Sequence, residues 1–294
     1  METKQHELSR RGMLVLAGAA AAAITQGNGM AYAATRSTAK LFATEAGTGK
    51  NVMLLHGWTC DSHDWSWQLP SLESKYRVVA ADLRGHGRSE VMPSGAYTPA
   101  DYVADVEALI STKYPGQRFI IVGHSMGGQI AARLAAKRPD LVSAVVSVDG
   151  AVGFSSDVAQ LFDKTAHDLS VGDPGLVVPA LFELVYDPTT DRAYQRWHAR
   201  RVQGMQQHVV RESFAPLFFG ADQVGVGEAS ATLCRSLTAP VYHLCRDPAQ
   251  ADRMRPWFSH LKSKVDVWSH AGHWIMQDRK DDVNAAVTAW IDAL

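Results

Sequence analysis

The stretch "RFIIVGHSMGGQIAARLAAK", residues 118–137, decides how this chain is read. Ile120, Ile121 and Val122 form a β-branched apolar run that suits a buried parallel strand, whereas 129–137 sets apolar residues at helical spacing around small ones. Between them lies Gly-His-Ser-Met-Gly-Gly, so Ser125 sits on a strand-to-helix turn. Gly123, Gly127 and Gly128 remove side chains where the backbone must bend sharply and approach its neighbours, and such a bend lifts the Ser125 hydroxyl into the open. A serine hydroxyl is a poor nucleophile until a base takes its proton, and the oxyanion formed on attack needs N–H donors already in place.

Both needs leave traces elsewhere. His273, in "SHAGHWIMQD", follows the last predicted strand, where a loop can carry its imidazole over Ser125. His56-Gly57-Trp58 closes the first strong strand, from which the Trp58 N–H can share a hole with the Met126 N–H.

Outward from this turn, the pattern predicts strands over 52–55, 76–81, 119–122, 142–148, 241–244 and 265–268, and helices over 102–114, 128–137, near 253–261, and over 281–294. Strand and helix in alternation imply a mostly parallel central sheet covered by helices on both faces. The alternation lapses over 151–229, where helical pieces over 176–186 and 194–209 have no strands between them. An insertion of that kind within a resumed α/β pattern reads as a helical lid over the carboxyl edge of the sheet, where such sheets bind ligands. The expected organisation is therefore a first core part over 34–150, the lid over 151–229 and a second core part over 230–294.

The first 33 residues stand apart. Ser9-Arg10-Arg11 precedes an apolar stretch over 12–24 that is short for a bilayer span, and Ala31-Tyr32-Ala33 offers small residues for cleavage. This resembles a twin-arginine export signal, from which a bacterial protein, periplasmic or extracellular after cleavage near Ala33, is expected.

With 294 residues, 46% hydrophobic and 20% charged, the chain can bury a full α/β core, and a formal net charge of −1 provides no field that would draw nucleic acid or an anionic membrane. The expected partner is a small molecule; oligomeric state is not legible. Cys60, Cys234 and Cys245 show no CxxC spacing, and a bridge between Cys234 and Cys245 stays open beside buried single thiols.

The motifs "LLHGWTCDSHDW", "YRVVAADLRGHGRSE", "IIVGHSMGGQIA" and "SHAGHWIMQD", in this order and spacing, resemble the α/β-hydrolase fold family over essentially the whole chain after residue 40. The resemblance implies Ser125 as nucleophile, His273 as base, and Trp58 with Met126 as oxyanion hole. His56, His86 and His124 also stand in these motifs and are read as braces for the loops around the site. For the third triad member two aspartates remain open. Asp149 in "AVVSVDGAVG" falls at a strand end; Asp247 in "PVYHLCRDPAQAD" lies near the later position that the family also uses, but without the expected glycine. Either can instead be a cap or turn residue.

"GTGKN", residues 47–51, lacks the glycine spacing and the hydroxyl residue of a phosphate loop and reads as a turn. No H-E-x-x-H is present, so neither metal nor cofactor is called for. Trp58, Trp65, Trp67 and Trp274, with the lid segments "LVVPALFELVY" and "FAPLFF", point to an apolar cleft, although such residues also pack lids onto cores. The resulting expectation is a serine hydrolase that acts on a small hydrophobic carboxylic ester or lactone through an acyl-enzyme. A carbon–carbon bond hydrolase, a cofactor-free dioxygenase using a His-Asp pair, and a non-catalytic binding protein on the same scaffold are the alternatives.

Overall fold

A computed structural model of the chain describes residues 37–294. The expected export signal and its cleavage site lie outside the described residues. Among those described, no helix is long and apolar enough to cross a membrane.

Seven strands form one sheet: β1 (Ala43–Ala46), β2 (Asn51–Leu55), β3 (Arg77–Ala81), β4 (Phe119–His124), β5 (Val142–Val148), β6 (Val241–Cys245) and β7 (Lys264–Val267). Their spatial order is β1-β3-β2-β4-β5-β6-β7, with β1 antiparallel to β3 and every other pair parallel. The apolar runs of β2 to β6 are buried along most of their length, as a parallel sheet covered on both faces requires. The edge strand β1 has no such run: it reads Ala-Thr-Glu-Ala and is largely exposed, so the hydrophobic pattern did not reveal it.

The helices follow as α1 (Leu69–Glu73), α2 (Pro99–Lys113), α3 (Met126–Lys137), α4 (Ala159–Val171), α5 (Pro174–Glu183), α6 (Arg192–Gln203), α7 (Gln207–Phe214), α8 (Gly227–Ser236), α9 (Pro248–Met254), α10 (Ile275–Asp278) and α11 (Lys280–Asp292). α1 packs with α11 in one layer, and α3 packs with α2 and α8 in another. α2 begins where Thr98 and Asp101 form a capping box ahead of Pro99.

Between β5 and β6, helices α4 to α7 follow one another without a strand and belong to the same compact unit as the sheet. Three expectations need correction here. The helix expected over 194–209 is two helices, because the chain turns at Gly204 and restarts at Gln207. The boundary expected at 229 cuts through α8, which packs on α3, so the inserted segment ends before Gly227. The helix expected near 253–261 begins earlier, at Pro248, because the Asp247 carboxylate caps it, and it gives way to a 3-10 turn at Arg255–Trp257.

Buried polar contacts tie this inserted segment to the core. Arg201 on α6 donates to Asp64 at 2.6 Å, and both side chains are almost wholly buried. Burial alone would raise the Asp64 carboxyl, but the Arg201 and His198 charges outweigh it and hold it well below the usual carboxylate range. Beside this pair the His198 ring stacks on Trp274 at 3.9 Å, and the Trp274 indole N–H donates to Asp64 at 3.1 Å.

Candidate active site

The turn after β4 is as tight as its glycines imply. Ser125 has φ +49°, in the region that non-glycine residues seldom occupy, at a cost of about 1–3 kcal/mol. A Cβ on Gly123 would lie 2.3 Å from the Gly127 carbonyl, and one on Gly127 would lie 2.3 Å from the Leu55 carbonyl oxygen of β2. Only glycine allows β4, α3 and β2 to approach this closely, and their approach fixes where the serine stands. Met126 is the first residue of α3, so its N–H is among those with no partner inside the helix. Trp58 follows β2, which pairs directly with β4.

His273 lies in the loop between β7 and α10. Its Nδ1 is 2.6 Å from Asp149 Oδ2, and Asp149 stands at the end of β5 with φ +41°. Burial pushes the Asp149 carboxyl up, but the Arg246 charge and the His273 hydrogen bond prevail and hold it well below the usual carboxylate range. An ionised carboxylate only accepts, so the shared proton is on Nδ1 and the Nε2 lone pair is left to act as a base. Ser125 and His273 both line one cleft of about 170 Å³.

The structure therefore brings together Ser125, His273 and Asp149, with Trp58 lining the same cleft and Met126 next to the serine. Asp247, the alternative acid, is not part of the site. It is exposed, and its carboxylate accepts from the Ala249 N–H at 2.9 Å as the N-cap of α9, two residues beyond the end of β6.

The three bracing histidines hold loops. His56 donates from Nδ1 to the Gly57 carbonyl and accepts the Leu83 N–H at Nε2, both at 2.8 Å. His86 links the Arg84 carbonyl to the Thr59 N–H. His124 reaches the His273 carbonyl at 3.0 Å through Nε2, and burial, reinforced by the His273 charge, pulls it down to about 3, so it is a neutral support beneath the base. The His273 N–H donates to the Val185 carbonyl at 2.8 Å, which ties the base loop to the inserted segment.

The cleft walls are apolar. Phe154, Leu181, Phe182, Phe214, Leu217 and Phe218 face it, so both inserted segments singled out in the sequence contribute. Of the tryptophans, Trp58 alone lines the cleft; Trp65 is buried in the core, Trp67 is exposed, and Trp274 packs behind the base against His198 and Tyr186. All three cysteines are buried free thiols, so Cys234 and Cys245 do not pair. Cys60, Asp64 and His124 place ligating atoms within 4.8 Å of one another, and Asp64 is already bound by Arg201 and Trp274.

One site residue went unread in the sequence. Arg246 follows β6 and donates from Nε to Asp149 Oδ2 at 2.8 Å, the same oxygen that receives His273. Its partner is 97 residues away, and no local motif marks it.

The profile of the alpha/beta hydrolase fold matches residues 50–183. A serine hydrolase-like protein of Danio rerio is 37% identical over 115 residues, covering 39% of this chain and 35% of its own. The chain spans only about a third of the length of such curated relatives. Among solved structures, a thermophilic esterase from Thermogutta terrifontis superposes with a TM-score of 0.74 at 22% identity, over 87% of this chain and 94% of that one. The enol-lactonase from Burkholderia xenovorans does so with a TM-score of 0.70 at 20% identity, over 86% and 97%.

Replacing each aspartate with asparagine separates their roles. Asp149→Asn leaves His273 without its carboxylate and is expected to lower turnover by about four orders of magnitude, the scale known for a triad acid in a serine protease. Asp247→Asn keeps a capping side chain and is expected to leave turnover near wild type. Equal, small effects in a side-by-side ester assay would show that neither aspartate orients the base.

Proposed function

On a chain with the α/β-hydrolase fold, we propose a serine hydrolase that cleaves a small carboxylic ester or lactone with an apolar acyl part. The observation that carries this reading is the 2.6 Å contact between His273 Nδ1 and Asp149 in the cleft that also exposes the strained Ser125. In the proposed cycle His273 Nε2 takes the Ser125 proton as the hydroxyl oxygen attacks the carbonyl carbon. The Trp58 and Met126 N–H groups receive the oxyanion. His273 then returns the proton to the leaving alcohol, and water enters the acyl-enzyme by the reverse sequence.

Acyl transfer is favoured over a His-Asp dioxygenase because the elbow serine is held at a conformational cost that oxygen chemistry at the histidine would not require. A cleft of this size with phenylalanine and leucine walls favours short apolar acyl groups. Carbon–carbon hydrolysis would use the same serine and is distinguished by substrate alone. The Arg10-Arg11 pair, the apolar stretch and Ala31-Tyr32-Ala33 support export before the enzyme works.

Four measurements test these proposals. An organophosphonate is expected to label Ser125 alone, and Ser125→Ala to fold yet lose turnover; labelling elsewhere, or near wild-type activity in the variant, would refute the mechanism. Phe182→Ala and Phe218→Ala are each expected to shift the kcat/KM ratio between long and short esters by up to about 10–200-fold; an unchanged ratio in folded protein would remove these residues from the substrate pocket. N-terminal sequencing of the exported chain is expected to begin near Ala34, and an intact Met1 outside the cytoplasm would refute cleavage.

A further inference from the structure

Arg246 introduces a formal positive charge into a cleft whose other lining side chains are almost all apolar. Besides Arg246, the hydrogen-bonding side chains there are Ser125, His273 and the Trp58 indole. The indole is already committed to Ser213 Oγ at 3.0 Å. The guanidinium is not fully satisfied. Nε binds Asp149 at 2.8 Å, Nη1 reaches the Val185 carbonyl only at 3.5 Å, and Nη2 meets no acceptor among the described residues. The side chain stays 31% exposed, whereas Asp149 is 5% exposed and lies behind it.

This arrangement leaves hydrogen-bonding capacity open to a ligand. The side chain stays partly exposed, so an acceptor in the cleft would take the place of water on donors that the protein itself does not fill. The counter-charge on Asp149 is divided, since the same oxygen also receives His273. An anion seated on the free Nη edge would satisfy the donors through charge-assisted hydrogen bonds.

We propose that Arg246 is a carboxylate-binding residue, and that the substrate is an ester or lactone whose otherwise apolar acyl part ends in a carboxylate remote from the scissile carbonyl. This rests on the hydrolase reading above. The planar fork suits a carboxylate, and Arg246 lines the same cleft as Ser125 and His273, so an anion bound to it shares that cleft with the reacting carbonyl. The apolar walls then hold the chain between the two ends of the substrate.

The test compares two p-nitrophenyl esters, the half-ester of glutaric acid and its counterpart with a terminal amide, with each rate corrected for the same ester's enzyme-free breakdown, which in the half-ester includes attack by its own carboxylate to give the cyclic anhydride and p-nitrophenolate. Wild type is expected to favour the half-ester in kcat/KM by about 10–100-fold, and Arg246→Met to abolish that ratio, whatever loss the two esters share through Asp149. Arg246→Lys is expected to retain part of it. No preference in wild type, a result that needs no variant to fold, would overturn the proposal. So would equal losses for both esters in Arg246→Met, since Arg246 would then serve only to hold Asp149. Calorimetry with the same esters on Ser125→Ala reads the preference without turnover. If wild type cleaves neither ester but Ser125→Ala binds the half-ester more tightly in an Arg246-dependent way, the hydrolase reading fails and the carboxylate site stands.

Discussion

The site depends on the contact between Gly127 and the end of β2. A Cβ at that position would lie 2.3 Å from the Leu55 carbonyl oxygen, so any other residue would push α3 away from the sheet. With glycine the helix starts directly after β4, and Ser125 is forced to φ +49°. That backbone strain is local, and the parallel strands on either side of β4 hold it in place. The N-terminal end of α3, the Trp58 loop and the serine consequently converge on one point.

Around this rigid turn the remaining groups are placed by side-chain networks. Neutral His56, His86 and His124 each bind backbone groups of loops that border the site. Their burial is what keeps them neutral and therefore useful as fixed donors and acceptors. The inserted helices are bound by the same means, through the buried Arg201–Asp64 pair and the stack of His198 on Trp274. Breaking one partner of such a pair would leave an uncompensated charge in the interior. α6 is thus anchored to Trp274, the residue next to His273, although it lines no part of the cleft itself.

Asp149 is the most heavily shared group. A single oxygen receives both His273 and Arg246, so the carboxylate that holds the imidazole also holds a cation at the cleft. A carboxylate bound to one cation stabilises a second less strongly.

Much of this was legible in the chain itself. The β-branched run ahead of Gly-His-Ser-Met-Gly-Gly and the small-residue helix after it determined the elbow, because period, glycine placement and turn chemistry are local properties. Parallel strands in alternation with helices followed from the same patterning, whereas β1 did not, being an exposed edge strand with no apolar run to betray it. Asp149 at a strand end and Asp247 as its alternative both stayed open in the sequence, and only the fold separated them: β5 delivers one to His273, while a helix starting at Pro248 consumes the other as its cap. Arg246 was invisible for a related reason. Its meaning comes from a carboxylate 97 residues away, and a contact of that separation is decided by the packing of β5 against β6, not by any pattern along the chain.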